Sequence, residues 1–175
     1  MTPSRLGQGK GPMPERISTS KTEPLDLLGP HIRLITPLPE EGNGYCVFEG
    51  RVPPGVFVPI HAHDDRETFY ILSGEIDGLL GAEWRRFGRG DVFDVPSGAK
   101  HAFRNVSAAE VLLLVVTTMA LGRFFQEVGR PLAAVPPGPP SAETLQRFAR
   151  ESLARGHWLG GVEDNAAVGI TLSFT

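Results

Sequence analysis

From about Leu25 to Thr118 the chain is a series of short β-forming runs, "HIRLIT", "YCVFEGRV", "GVFVPIHAH", "ETFYILSGEI", "DVFDVP", "HAFRN" and "EVLLLVV", broken by glycine, proline and aspartate. No part of that stretch sustains a helical period, and the turn signals "PPG", "SG", "FGRG" and "PSG" separate the runs at the intervals of a sandwich or barrel. The pattern predicts an all-β domain. "EVLLLVV" does not alternate, so both of its faces ask for cover, one from the barrel interior and the other from a helix or a second subunit.

The flanks read differently. Residues 1–25 are rich in proline, glycine, serine and charge, a composition that buries too little apolar surface to offset the entropy of ordering, and are expected to form a flexible arm. Residues 26–118 are the expected barrel, and 119–175 a C-terminal helical extension and tail. In "LGRFFQEVGRP", Leu121, Phe125 and Val128 share a helical face before Gly129 and Pro131 stop it. After the stiff "PPGPP", Ser141 and Glu143 open a second helix with Leu145, Phe148, Ala149 and Leu153 in one stripe. "GITLSF" is read as a final strand, and "EWRRFGRGD" as an exposed turn.

A chain of 175 residues suits one domain with a real core. Its net charge of −3 and pI near 5.9 offer no basic field, which argues against a nucleic-acid partner. Cys46 is the single cysteine, so no internal disulfide framework exists, and a buried strand position is expected for it. The longest apolar run, "VLLLVV", is too short to cross a bilayer, and the opening residues lack the apolar centre of a secretion signal, so the expectation is a soluble cytoplasmic protein.

The chemistry concentrates in "HAHDDRETFYILSG". Residues two apart on a strand face one side, so His61 and His63 can present both imidazoles to one point. Glu67 begins the next strand beyond the bend "DDR", and His101 opens a strand after the turn at Pro96 and Gly98. Three histidines and a carboxylate make four candidate ligands for one divalent transition metal, Fe, Ni, Co, Mn, Cu or Zn, with an open position left for substrate. His31 and His157 lie outside this set and are expected at the surface or in caps, while Asp64 and Asp65 read as a solvated bend.

The spacing carries a resemblance. Gly55, His61, His63, Glu67 and Gly74, followed by Gly90, Pro96, Gly98, His101 and Asn105, stand at the intervals of the two motifs of the cupin superfamily. A chance match at this composition has odds of roughly one in 10^12. The resemblance implies a jelly-roll β-barrel with short C-terminal helices beyond it, holding a metal through His61, His63, Glu67 and His101. The glycines are turn residues and Asn105 ties a turn.

"HAFRN", the apolar strand after it, "GRFFQEVGRP" and "PPGPPSAETLQ" also resemble single-domain bacterial cupins similar to quercetin 2,3-dioxygenases. That likeness implies a metal-dependent dioxygenase that cleaves an enolic or phenolic, flavonol-like substrate with O2, Glu67 acting as both ligand and base. Phe57, Tyr70, Phe93, Phe103, Leu113, Val115 and Met119 are the side chains available to line the substrate pocket. Two alternatives stay open: a cupin decarboxylase or isomerase of small acids, which calls for a basic residue aimed at the metal, and a non-catalytic binding or sensing module. Small cupins of this kind imply a homodimer.

Overall fold

The computed structural model describes residues 22–39 and 44–172. Two antiparallel sheets face each other. The larger contains β1 (Leu25–Asp26), β2 (His31–Leu34), β3 (Tyr45–Val52), β5 (Glu67–Ser73), β8 (Val92–Val95), β10 (Val111–Thr118) and β11 (Arg130–Pro131), in the order β11-β1-β2-β3-β10-β5-β8. The smaller contains β4 (Phe57–Ala62), β6 (Glu75–Leu80), β7 (Glu83–Gly88), β9 (His101–Arg104) and β12 (Trp158–Leu159), in the order β12-β4-β9-β6-β7. Among the described residues three α-helices follow the barrel: α1 (Met119–Val128), α2 (Ala142–Ala154) and α3 (Val162–Ala167). Among the described residues no helix is long and apolar enough to cross a membrane.

Alternation fixes what faces inward. On β10, Val111, Leu113, Val115 and Thr117 are buried while Leu112, Leu114 and Val116 are half-buried, so the continuous apolar run has one core face and one partly covered outer face. Its partners β3 and β5 send Cys46, Phe48 and Val52, and Phe69 and Ile71, into the same core. Cys46 is fully buried, as its strand position suggests. Gly74 separates β5 from β6 with φ +80°, and a Cβ there would lie 3.0 Å from the Glu110 carbonyl oxygen, so the sharp passage between the two sheets requires glycine.

Several elements differ from the sequence reading. Leu25 already belongs to β1, and residues 1–21 of the expected arm lie outside the described residues. "EWRRFG" is a strand, not a turn: Glu83 to Gly88 pair with β6 along its length. It is the outer strand of its sheet, where charge protects an exposed edge, so its composition resembles a loop. Residues 169–172 of "GITLSF" form no strand, while 173 and 174 lie outside the described residues; Ile170 instead inserts into a cluster with Ile60, Leu79 and Ala102.

Helix α1 is capped by the Thr118 hydroxyl, which accepts from the Leu121 N–H at 3.2 Å, and buries Met119, Leu121, Gly122, Phe124 and Val128. Phe125 packs edge-on against Phe48 at 5.5 Å. Ser141 caps α2 as expected, but the stripe on that helix is only partly covered: Phe148 meets Phe124 at 5.8 Å while Leu145 and Leu153 stay exposed. The helix docks through Phe148 and the buried Ser152, whose hydroxyl donates to the Phe148 carbonyl, and this turns the stripe partly to solvent.

Candidate metal centre

The barrel brings His61, His63 and His101 together, with one ligand atom from each lying within 4.8 Å of the others. Strands β4 and β9 supply this meeting, because His61 and His101 sit opposite each other in the ladder. The turn at Pro96 to Gly98 holds the end of the ligand stretch. Gly98, at φ +75°, donates its N–H to the His63 carbonyl at 2.8 Å, and Ser97 donates to the Asp64 carbonyl at 2.6 Å.

All three rings are oriented by carbonyl oxygens close in sequence. His61 Nδ1 lies 2.8 Å from the Pro59 oxygen, His63 Nδ1 3.0 Å from that of Asp65 and His101 Nδ1 3.0 Å from that of Ala99. A carbonyl can only accept, so each Nδ1 carries the hydrogen and the neutral ring keeps its lone pair on Nε2. These are the nitrogens left to bind a metal. Among the described residues His101 Nε2 is buried without a hydrogen-bond partner, a costly state for a polar atom that a bound cation would relieve. The donor set therefore fits a transition metal.

Glu67 is buried at the start of β5, with Oε2 3.6 Å from His63 Nε2 and 3.8 Å from His101 Nε2. Burial pushes its carboxyl up, but the approach of His101 and His63 outweighs this and holds it at about 2. Burial drives the His61 imidazole down to about 3, helped by the neighbouring His101 charge. His63 goes the other way: burial lowers it, yet Glu67 and then Asp65 more than compensate and leave it above its ordinary value. The Cys46 thiol, raised to about 11 by burial and the negative charges of Glu67 and Asp65, stays protonated and offers no thiolate ligand at neutral pH.

The side chains proposed to line a pocket divide into two groups. Phe93, Phe103, Leu113, Val115 and Met119 are inward and buried. Phe69, missed in the sequence reading, joins them: its ring stacks on Phe93 at 5.4 Å and lies 5.5 Å from Phe103, while Phe93 also meets Phe87 at 5.1 Å. These rings fill the barrel and form a floor near Glu67 and His101, so they are core more than the walls of a roomy cavity. Phe57 and Tyr70 do not line the barrel; they are 41% and 42% exposed. A register shift between Val58 and His61 turns Phe57 outward, and Tyr70 lies between the inward positions Phe69 and Ile71.

Asp65 is not merely solvated, because its carboxylate accepts from the Thr118 hydroxyl at the start of α1. His157 is also no isolated surface residue. Its ring lies 5.6 Å from that of His63 and 4.8 Å, edge-on, from that of Phe124. Burial, then the His63 charge, holds its imidazole below the ordinary value. Asn105 ties its turn as expected, donating to the carbonyls of Val52 and Ala109 at 2.8 Å each.

Residues 48–117 match the family described as Cupin domain. The barrel has the cupin fold. Over 54 residues the chain is 43% identical to dimethylsulfoniopropionate lyase DddQ of Ruegeria pomeroyi, a stretch covering 30% of this chain and 27% of that protein. Among solved structures the cupin fold recurs in the polyketide cyclase RemF from Streptomyces resistomycificus, with TM-score 0.54 and 20% identity over 61% of this chain and 80% of that one. It recurs again in a cupin-superfamily sugar phosphate isomerase from Silicibacter pomeroyi, with TM-score 0.52 and 18% identity over 59% of this chain and 75% of that one. At such identities the two structures establish a shared fold and nothing finer.

Proposed function

We propose that this chain is a metal-dependent cupin enzyme that takes a proton from a small, oxygen-bearing acid, with a lyase-type outcome. The observation that carries the reading is the convergence of three oriented Nε2 atoms beside an ionised carboxylate. His61, His63 and His101 would hold the cation, with Glu67 as fourth ligand. A divalent transition metal held there would supply Lewis acidity toward an anionic oxygen of the substrate. Glu67 is deprotonated at neutral pH and so is in the form that accepts a proton, the dual role of ligand and base.

For a carboxylate with a leaving group on its β-carbon, Glu67 takes the α-proton, the C–H pair becomes a carbon–carbon double bond, and the leaving group departs with its bonding electrons. The stretch shared with a lyase supports this choice. The packed rings of Phe69 and Phe103 keep water from the inner side of the site and favour a small substrate over a flavonol-sized one.

A ring-cleaving dioxygenase for a small enolic or phenolic substrate is the second reading, favoured by the apolar character of that floor. There Glu67 takes the hydroxyl proton and O2 is consumed as the ring opens. The two readings separate on oxygen. Metal-free protein is reconstituted with each divalent metal, then assayed anaerobically for acrylate release from dimethylsulfoniopropionate and for α-proton exchange of small carboxylates in deuterium oxide. O2 uptake is followed in parallel with flavonols, diketones and catechols. Anaerobic release or exchange supports the lyase reading, and turnover that requires O2 transfers the assignment to the dioxygenase. Metal-loaded protein inert in every arm would instead be a binding module.

A further inference from the structure

The chain beyond the barrel returns to the strand that carries His61. Trp158 pairs with Ala62 and Leu159 with His61, so β12 covers what would otherwise be the free edge of β4. The tie continues past it. Gly160 donates its N–H to the Ile60 carbonyl at 2.8 Å, and a Cβ on Gly160 would fall 2.5 Å from Ile60 Cγ2, an approach only glycine permits. Asn165, fully buried, accepts the Ile60 N–H at 3.0 Å and donates to the carbonyls of Gly160 and Gly161 at 2.9 Å each. Trp84 donates to the Val168 carbonyl at 2.8 Å. The Asn165 Oδ1 ties this segment to the strand of His61, and its two N–H groups hold the segment's own turn at Gly160 and Gly161.

The place of His157 follows from that anchoring. Trp158 packs with the outer cluster of Ile60, Leu79, Ala102 and Ile170, and the Lys100 ammonium lies 3.8 Å above its ring. His157 immediately precedes this strand, and its ring lies 5.6 Å from that of His63 and 4.8 Å from that of Phe124. It is not one of the three converging ligands. It stands beside them, on a segment locked in place by hydrogen bonds, with a polar ring able to donate or accept.

We propose that His157 is a binding residue of this centre, placed by the C-terminal segment to hydrogen-bond an anionic oxygen or nitrogen donor in the position that the protein ligands leave open. This rests on the metal-centre reading above but not on any turnover. The test uses the full chain loaded with Co2+, whose visible bands report both metal uptake and binding of added azide. His157→Phe keeps a ring against Phe124 and removes the hydrogen bond; His157→Gln keeps a donor and an acceptor. Expected are Co2+ affinities within about threefold of the parent for both, azide binding weakened at least about 10-fold in the Phe variant, and a smaller loss in the Gln variant.

Equal azide affinity in the parent and the folded Phe variant overturns the proposal, as does a parent that takes Co2+ but no azide. A Co2+ affinity loss beyond about 100-fold in a variant that melts like the parent would make His157 a ligand and overturn it too. A parent that binds no Co2+ defeats the metal centre itself. If the Phe variant does not fold, the Gln variant and His157→Ala carry the same comparison.

Discussion

Glu67→Gln keeps the shape of the side chain and removes its charge, which separates two effects that the carboxylate has on metal binding. Glu67 stands 3.6 Å from His63 Nε2 and is what lifts the His63 imidazole above its ordinary value against the pull of burial. A metal needs that Nε2 lone pair, so His63 must release its proton first. Below the His63 pKa, affinity therefore climbs about tenfold per pH unit, roughly 1.4 kcal/mol, and it levels off above. His61, held near 3, is already neutral over this range and releases no proton.

In the variant the attraction is gone and the burial stays, so the bend in affinity against pH moves to lower pH. Losing an anionic ligand weakens binding at every pH. The variant should thus bind Co2+ less tightly than the parent at about pH 8, and the gap should narrow toward about pH 5.5 as proton competition is relieved. Calorimetric titration in buffers of different ionisation enthalpy gives both the affinity and the number of protons released. A bend at the same pH in parent and variant would refute the claim that the Glu67 charge sets the His63 proton.

His101→Ala removes a buried ligand nitrogen and should cost at least about 100-fold in metal affinity by competition titration, while His31→Ala should cost nothing; equal losses would sink the ligand assignment. Phe93→Ala opens a hole among Phe69, Phe87 and Phe103 and should cost about 3 to 5 kcal/mol in denaturant unfolding, and a loss below about 1 would mean those rings do not form a packed floor. The outer face of the larger sheet exposes Tyr70, Leu72 and Val92 beside half-buried Leu114, and we propose that a second copy covers it. Light scattering should then give a mass near twice 18.9 kDa, falling toward one chain in the double variant Tyr70→Lys, Leu72→Lys; a single-chain mass for the parent at micromolar concentration would exclude the dimer.

The candidate ligands were legible because chelation imposes its own spacing. Two histidines two apart on a strand have to share a face, and a glycine-bounded turn before His101 has to return the chain to the same interior. The period was legible; its phase was not always. Glu67 facing inward already places Phe69 and Ile71 inward and Tyr70 outward, so parity counted from the ligand could have replaced Tyr70 with Phe69. Phe57 was beyond such counting, because the register shift before His61 leaves no mark in composition. The edge strand Glu83–Gly88 was hidden by the charges that protect it. His157 was out of reach, since its place depends on a two-residue strand and one buried asparagine far from either motif.

Each ligand histidine is aimed by a carbonyl only two residues away, at Pro59, Asp65 and Ala99. The aim of the rings is thus inherited from the local course of three short backbone segments, and no distant side chain has to be retained for it. Selection can then rework the helix, the tail and the floor, where a substrate would be told apart from its analogues, without re-aiming the rings. Such a division lets one scaffold drift between chemistries by changing what surrounds the cation, and variants recruited to a new task should differ first in the C-terminal segment and last in these three turns.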